Sequence, residues 1–444
     1  MAETQRQGTG RYRSVPGNLK SELIMISRRL DATALLVLLC WAASPSPATA
    51  QVSEEGCVTC HAAFSDARLG GPVESYADDV HSAQGFGCVA CHGGDAEDTG
   101  MTAMDPAKGY IGVPEPHEIP HLCGRCHENA EFMRRYNPSL RVDQLAEYRT
   151  SIHGHQLLER GDTRVATCSS CHRAHSIRPA SDPTSSVHPL NVVETCAGCH
   201  ADSELMEPYG IPTDQHEAYL ESVHWYMLSV EGDMSAPTCN DCHGNHGAAP
   251  PGVSWVGNVC GQCHMVMGQL FEESFHSQIF AMLGTPGCAT CHGNHAIPEA
   301  GDEMLGVGEG AACAQCHAED SGGGQVATEM RGLIDSLRAG FVDADSILLQ
   351  AEHAGMEVSQ AQFDLNSATT ALISARTAIH SFSVDAVSAE VDGGLEVTAQ
   401  AFERGERALA DLQFRRMGLA VSVVIILMLI FGLVMKIRQL ESKS

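Results

Sequence analysis

The sequence predicts a chain of mainly loops and short α-helices, followed by an α-helical stalk and one C-terminal transmembrane helix. Three observations carry this. Within residues 51–320 one five-residue cysteine pattern recurs nine times. Residues 326–414 show apolar side chains at spacings of three and four, as in Leu333, Ile334, Leu337 and Phe341, or Leu365, Ala368, Leu372 and Ile379. Met417 to Met435 is then an uncharged run of 19 residues, the length that spans a bilayer.

The recurring pattern is Cys-x-x-Cys-His. It occurs as Cys57, Cys60, His61; Cys88, Cys91, His92; Cys123, Cys126, His127; Cys168, Cys171, His172; and Cys196, Cys199, His200. It continues as Cys239, Cys242, His243; Cys260, Cys263, His264; Cys288, Cys291, His292; and Cys313, Cys316, His317. Two thiols three positions apart can form thioethers to the two vinyl groups of one haem, with the adjacent His beneath the iron. Disulfides explain the cysteine pairs in an exported protein but not a His after every second Cys. Zinc and iron–sulfur sites fit nine identical units poorly. The expected cofactors are therefore nine c-type haems, with iron held by the motif histidines.

Nine haems on the 270 residues of 51–320 leave 30 residues for each. So little chain, with aromatic residues at 5% of the whole protein, cannot build a separate side-chain core around every porphyrin. The haems must pack against one another and form the core themselves.

An internal repeat organises the motifs. Residues 151–175 align without a gap to 222–246, sharing Ser-x-His, then Gly-Asp, then the haem motif, then a His three residues after the motif His. Residues 274–295 repeat the pattern with three residues fewer before the first Cys, and a degenerate copy begins at His81 with Asp95 in place of the later His. Each unit is followed by another motif. Two-haem repeats near 81–127, 151–200, 222–264 and 274–317, plus the leading Cys57 motif, account for all nine.

This pattern resembles the doubled Cys-x-x-Cys-His modules of periplasmic multihaem c-type cytochromes, including the tetrahaem and NapC/NirT-type electron carriers. The resemblance covers 51–320. It implies a multihaem cytochrome c fold in which a second His takes the sixth position on each iron. The matching residues are His81, His153, His224 and His276 from Ser-x-His or its variant, and His175, His246 and His295 from His-x-x-His. His117, His121, His155, His188 and His216 are further candidates, and Met265 and Met267 are alternatives that read more simply as packing. A segment from Ser374 to His380 faintly resembles the C-terminal helices of ammonia-forming nitrite reductases, where a His reaches back to a haem; His380 and His353 are candidates on that ground.

The ends of the chain suggest export and anchoring. Arg28 and Arg29, an apolar run from Ala32 to Ala43 and the small-x-small site Ala48-Thr49-Ala50 read as a signal peptide over 1–50. Cys40 falls inside that run, and Met25 is an alternative start. Glycines 322–324 suggest a linker opening the stalk, 321–414. The transmembrane helix is set at 415–437 and a cytoplasmic tail at 438–444, which places the haem region in the periplasm and the chain as a single-pass protein of the cytoplasmic membrane.

A net charge of −28 argues against nucleic acid as a partner, while leaving open whether the acidic surface steers a basic redox partner or serves solubility. The resemblance implies electron transfer, with anaerobic respiration as its setting and a periplasmic or outer-surface acceptor. The transmembrane helix has no His to bind a b-type haem, which points to a quinone-reactive membrane subunit or respiratory complex as the other partner. The alternative is a multihaem reductase of the nitrite, hydroxylamine or sulfur-oxyanion type with one open haem. No residue is singled out as catalytic.

Overall fold

The structure is a computed structural model that describes residues 56–247 and 256–442. The expected signal peptide, with Cys40 and its apolar run, lies outside the described residues. The chain divides into two compact units, one ending at Gly112 and one beginning at Val113. The described residues contain helices, 3-10 turns and loops, with no strand among them.

Helices carry most of the motifs, as single turns at Cys168–His172 and Cys239–His243 and as the last turns of Ile119–His127 and Pro189–His200, while Cys260 and Cys313 lie in 3-10 turns. Thr167 and Thr238 open the turns Cys168–His172 and Cys239–His243 in capping boxes with Ser170 and Asp241. The turns close on left-handed residues: Gly244 at φ 81° and Gly293 at φ 76° follow His243 and His292, and Arg173 takes φ 46° after His172.

The conserved geometry of the Ser-x-His element has the same origin. Ser151, Ser222 and Ser274 accept hydrogen bonds from the backbone N–H of Gly154, Trp225 and Ser277, capping the helices Ile152–Leu158, Val223–Ser229 and Phe275–Leu283. Each cap sets the His two residues later in the first helical turn. In the degenerate copy Asp79 does the same work for Val80–Ala83 and accepts from the N–H of His81. Consecutive repeats interlock through backbone as well, as Val223 N–H donates to the carbonyl of Ile297 at 2.8 Å.

Beyond the motifs the chain forms three long helices: α1 (Gly322–His353), α2 (Ser359–Ala378) and α3 (Val384–Glu441). Small and branched side chains fill their interface. Ala344, Leu348, Ala351, Leu365, Ala368 and Ala401 form one cluster, and Met330, Ile334, Leu337, Ala375, Val387 and Val391 another. Gly394 lets α3 approach closely; a Cβ there would meet Leu337 Cδ1 at 2.7 Å and Ala371 Cβ at 2.9 Å. Asp302, in the loop before the last motif, ties the bundle to the region before it. Its carboxylate accepts two hydrogen bonds from Arg376 of α2, both 2.8 Å.

Two expectations change. Glycines 322–324 are not a linker but the first turn of α1, capped by Ser321. Two of the three leave no room for a side chain: a Cβ at Gly324 would meet the carbonyl of Ala318 at 2.1 Å, and one at Gly323 the His317 ring at 2.2 Å. The expected boundary between stalk and transmembrane segment at 414/415 is also not a break, since α3 runs through it for 58 residues. Its apolar end is long and apolar enough to cross a membrane.

Candidate haem-binding site

None of the eighteen motif cysteines is in a disulfide, and no group of three or more His, Cys, Asp or Glu among the described residues is placed to hold a metal ion. Both alternative readings of the cysteine pairs therefore lack a site.

The histidines are arranged differently, in facing pairs. Ring centroids lie 6.1 Å apart for His153 and His200, 6.1 Å for His172 and His246, and 6.3 Å for His224 and His264. They lie 6.0 Å apart for His243 and His295, 6.0 Å for His276 and His317, and 6.1 Å for His292 and His380. Two metal–imidazole bonds of roughly 2 Å each, with a ring centre about 1 Å behind each nitrogen, put two centroids about 6 Å apart. Imidazoles in direct contact would sit closer. Every pair joins a motif His to a non-motif His, so the residues present fit one iron between each two rings.

The pairs follow a rule that the repeat did not disclose. The Ser-x-His histidine faces the second motif of its own module: His153 with His200, His224 with His264, His276 with His317. The His-x-x-His histidine faces the first motif of the preceding module: His246 with His172 and His295 with His243. The last module has no successor, and His380, from the turn between α2 and α3, takes that place opposite His292.

Electrostatics agree with ligation. Burial holds His153, His172, His200, His224, His243, His246, His276, His292 and His295 below the ordinary imidazole range, favouring the neutral form that binds a metal. Several rings have their Nδ1 engaged by an oxygen acceptor, leaving Nε2 for iron. Nδ1 of His61 donates to the carbonyl of Leu69, that of His92 to Gly112 and that of His380 to Thr377, at 3.2, 2.8 and 3.0 Å. Nδ1 of His81 donates to Asp79 at 2.9 Å.

The other candidates are engaged elsewhere or exposed. His216 meets Glu194 through Nε2, and His155 meets exposed Glu159. Nδ1 of His188 accepts from the N–H of Leu190, which requires its proton on Nε2. His117, His121 and His353 are exposed, and Met265 is 68% exposed, so it packs against nothing that resembles an iron site. His175 adopts φ 70° directly after its motif. His61 has Phe64 as a ring neighbour, 6.0 Å away at 62°, and no histidine faces it among the described residues.

Successive motifs also touch. The thiols of Cys123 and Cys168, Cys196 and Cys239, and Cys260 and Cys288 lie close enough for each pair to shift one another's ionisation. Cys171 neighbours Cys199, Cys242 neighbours Cys260 and Cys263, and Cys291 neighbours Cys313 and Cys316. The motifs from Cys123 to Cys313 therefore follow one another in space as they do in sequence.

A helical, strand-poor chain with haem-attachment motifs and paired histidines defines a class: the chain is a multihaem c-type cytochrome. The Cytochrome c3 family matches residues 80–201. The C-type polyheme cytochrome OmcB of Geobacter sulfurreducens, in strains DL-1 / KN400 and ATCC 51573 / DSM 12127 / PCA, is 24% identical over 233 residues, covering 48% of this chain. The chain spans a quarter of those relatives' length, 25%. No solved structure matches it. The likeness to cytochrome c3 and OmcB does not extend to a NapC/NirT subtype.

Proposed function

We propose that the chain is a membrane-anchored nonahaem wire, carrying electrons between a quinone-linked membrane partner and a periplasmic or extracellular acceptor. Electron transfer is the work of its class; the number of haems, the partners and the orientation are the proposal. The facing histidine pairs carry it. Six irons with a His on each side have no exchangeable position, which suits transfer and not substrate binding. His81 and His175, at equivalent repeat positions, are proposed as sixth ligands on the same ground. The contacts between successive motifs support a path in chain order, α3 supports anchoring, and the signal-like segment before residue 51 supports placing the haem region outside the cytoplasmic membrane.

Electron paramagnetic resonance of the oxidised protein, with denaturing mass spectrometry, tests this. Nine haems bound through the nine cysteine pairs and a low-spin spectrum are expected. Fewer haems after competent maturation, or several high-spin irons, would overturn it. One observation favours a second reading, in which the Cys57–His61 haem alone is open: no described histidine faces His61. Binding of one carbon monoxide per protein would select that reading, and none would select a wire closed throughout.

A further inference from the structure

The facing pairs fall into two geometric classes. At the first motif of the last three modules the rings are near parallel, at 14° for His172 and His246, 21° for His243 and His295, and 20° for His292 and His380. At the second motif they are tilted, by 55° for His153 and His200, 33° for His224 and His264, and 73° for His276 and His317. The last pair is the most crossed, and its surroundings differ from the others.

An axial imidazole is ordinarily kept from rotating about its metal bond by a hydrogen bond from its second nitrogen. His276 lacks one. Its Nδ1 is buried and has no hydrogen-bond partner among the described residues. Phe382 lies over the ring instead, with centroids 3.8 Å apart and planes at 30°. Phe280 meets the same ring edge-on at 5.9 Å, and Phe271 meets Phe382 at 6.4 Å and 71°. Phe382 is itself held in place. It adopts the left-handed φ of 55° that closes the turn after Ile379–Ser381, between the bundle helices α2 and α3.

We propose that Phe382 is a positioning residue that holds the His276 imidazole across the plane of His317, giving the haem of Cys313 and Cys316 a crossed axial pair. Packing does here what a hydrogen bond does for His380 two residues earlier. One turn of the bundle thereby supplies a ligand to one haem and sets the ligand orientation of the next. Orientation matters chemically. Parallel imidazoles donate into the same iron d orbital and split the two π-type orbitals, whereas crossed imidazoles leave them nearly equal in energy. The crossed haem therefore has a strongly anisotropic low-spin signal where the parallel ones are rhombic, and axial-ligand geometry is one of the protein's means of tuning potential.

The inference rests on the proposed double histidine ligation, which His276→Ala tests separately: that change should turn one haem high-spin, and if it does not, the ligation reading fails by itself. The test of Phe382 is Phe382→Ala in the full-length, haem-loaded protein. One haem's worth of strongly anisotropic signal should become rhombic and titrate at a shifted potential, with the total haem count and low-spin state unchanged. Phe382→Tyr, which keeps the ring, should retain the original signal and show that the fold tolerates change at this position. An unaltered spectrum in Phe382→Ala would overturn the proposal, as would a new high-spin signal, because Phe382 would then serve ligation and not orientation.

Discussion

At the scale of the residue, the cysteine pairs and their histidines stand out in the sequence, since thioether chemistry fixes the spacing of a haem-attachment motif. The opposite ligands were half legible. Ser-x-His recurs, and its physical basis is an N-cap that sets a His in the first turn of a helix. Which motif each of these His faces was not legible, because it is the second motif of the module, roughly 40 residues on, and not the motif that follows directly. His380 was harder still: it belongs to no repeat and sits in a helix-rich segment with only a faint likeness behind it. It is the sixth-ligand candidate for the Cys288 haem, so His380→Ala should produce one high-spin iron and leave nine haems attached. Retention of a wholly low-spin spectrum in that variant would exclude it.

At the scale of the element, the bundle was legible as helices from apolar spacing, but its attachment to the haem region was not. Asp302 makes that attachment. Its carboxylate is 5% exposed and receives Arg376 in a two-pronged contact, with Arg338 at 3.6 Å. The hydrogen bonds from Arg376 hold the Asp302 pKa below its ordinary value. A carboxylate with a lowered folded pKa stabilises above its unfolded value near 3.8 and loses that contribution as pH falls through the folded pKa. Docking of the bundle should therefore weaken in acid. Asp302→Ala, by leaving Arg376 partly buried without its partner, should cost about 1–2 kcal/mol at neutral pH. The variant should also lose the part of the acid dependence that Asp302 contributes, as read by thermal unfolding between pH 6 and roughly 3. A wild-type pH profile in the variant would show that the ion pair does not hold the bundle.

At the scale of the whole molecule, the motifs from Cys123 to Cys313 follow one another in space in the order of the chain. Interlocking explains why. The first motifs at His172 and His243 each face a histidine of the following module, so neither of these modules is complete alone. The bundle ends this series, completing the last module with His380 as a further module would have done. Truncation after Arg416, which removes the apolar part of α3 but none of the bundle's buried residues, should release a soluble protein with all its haems and an unchanged spectrum. Haem loss on that truncation would mean that the apolar segment is needed for folding and not for anchorage alone.

The continuity of α3 sets a distance. The turn that reaches the last two haems lies immediately before Val384, and the apolar run begins at Met417. At 1.5 Å per residue that stretch is about 50 Å long, with no proline to bend it. Tunnelling rates fall exponentially with separation, so a helix standing upright would keep this end of the array far beyond the reach of a quinol dissolved in the bilayer. On the proposed anchoring, a donor would project its own redox centre outward by the length of this stretch. The stretch would act as a spacer that selects tall partners and insulates the haems from casual reduction by the lipid pool.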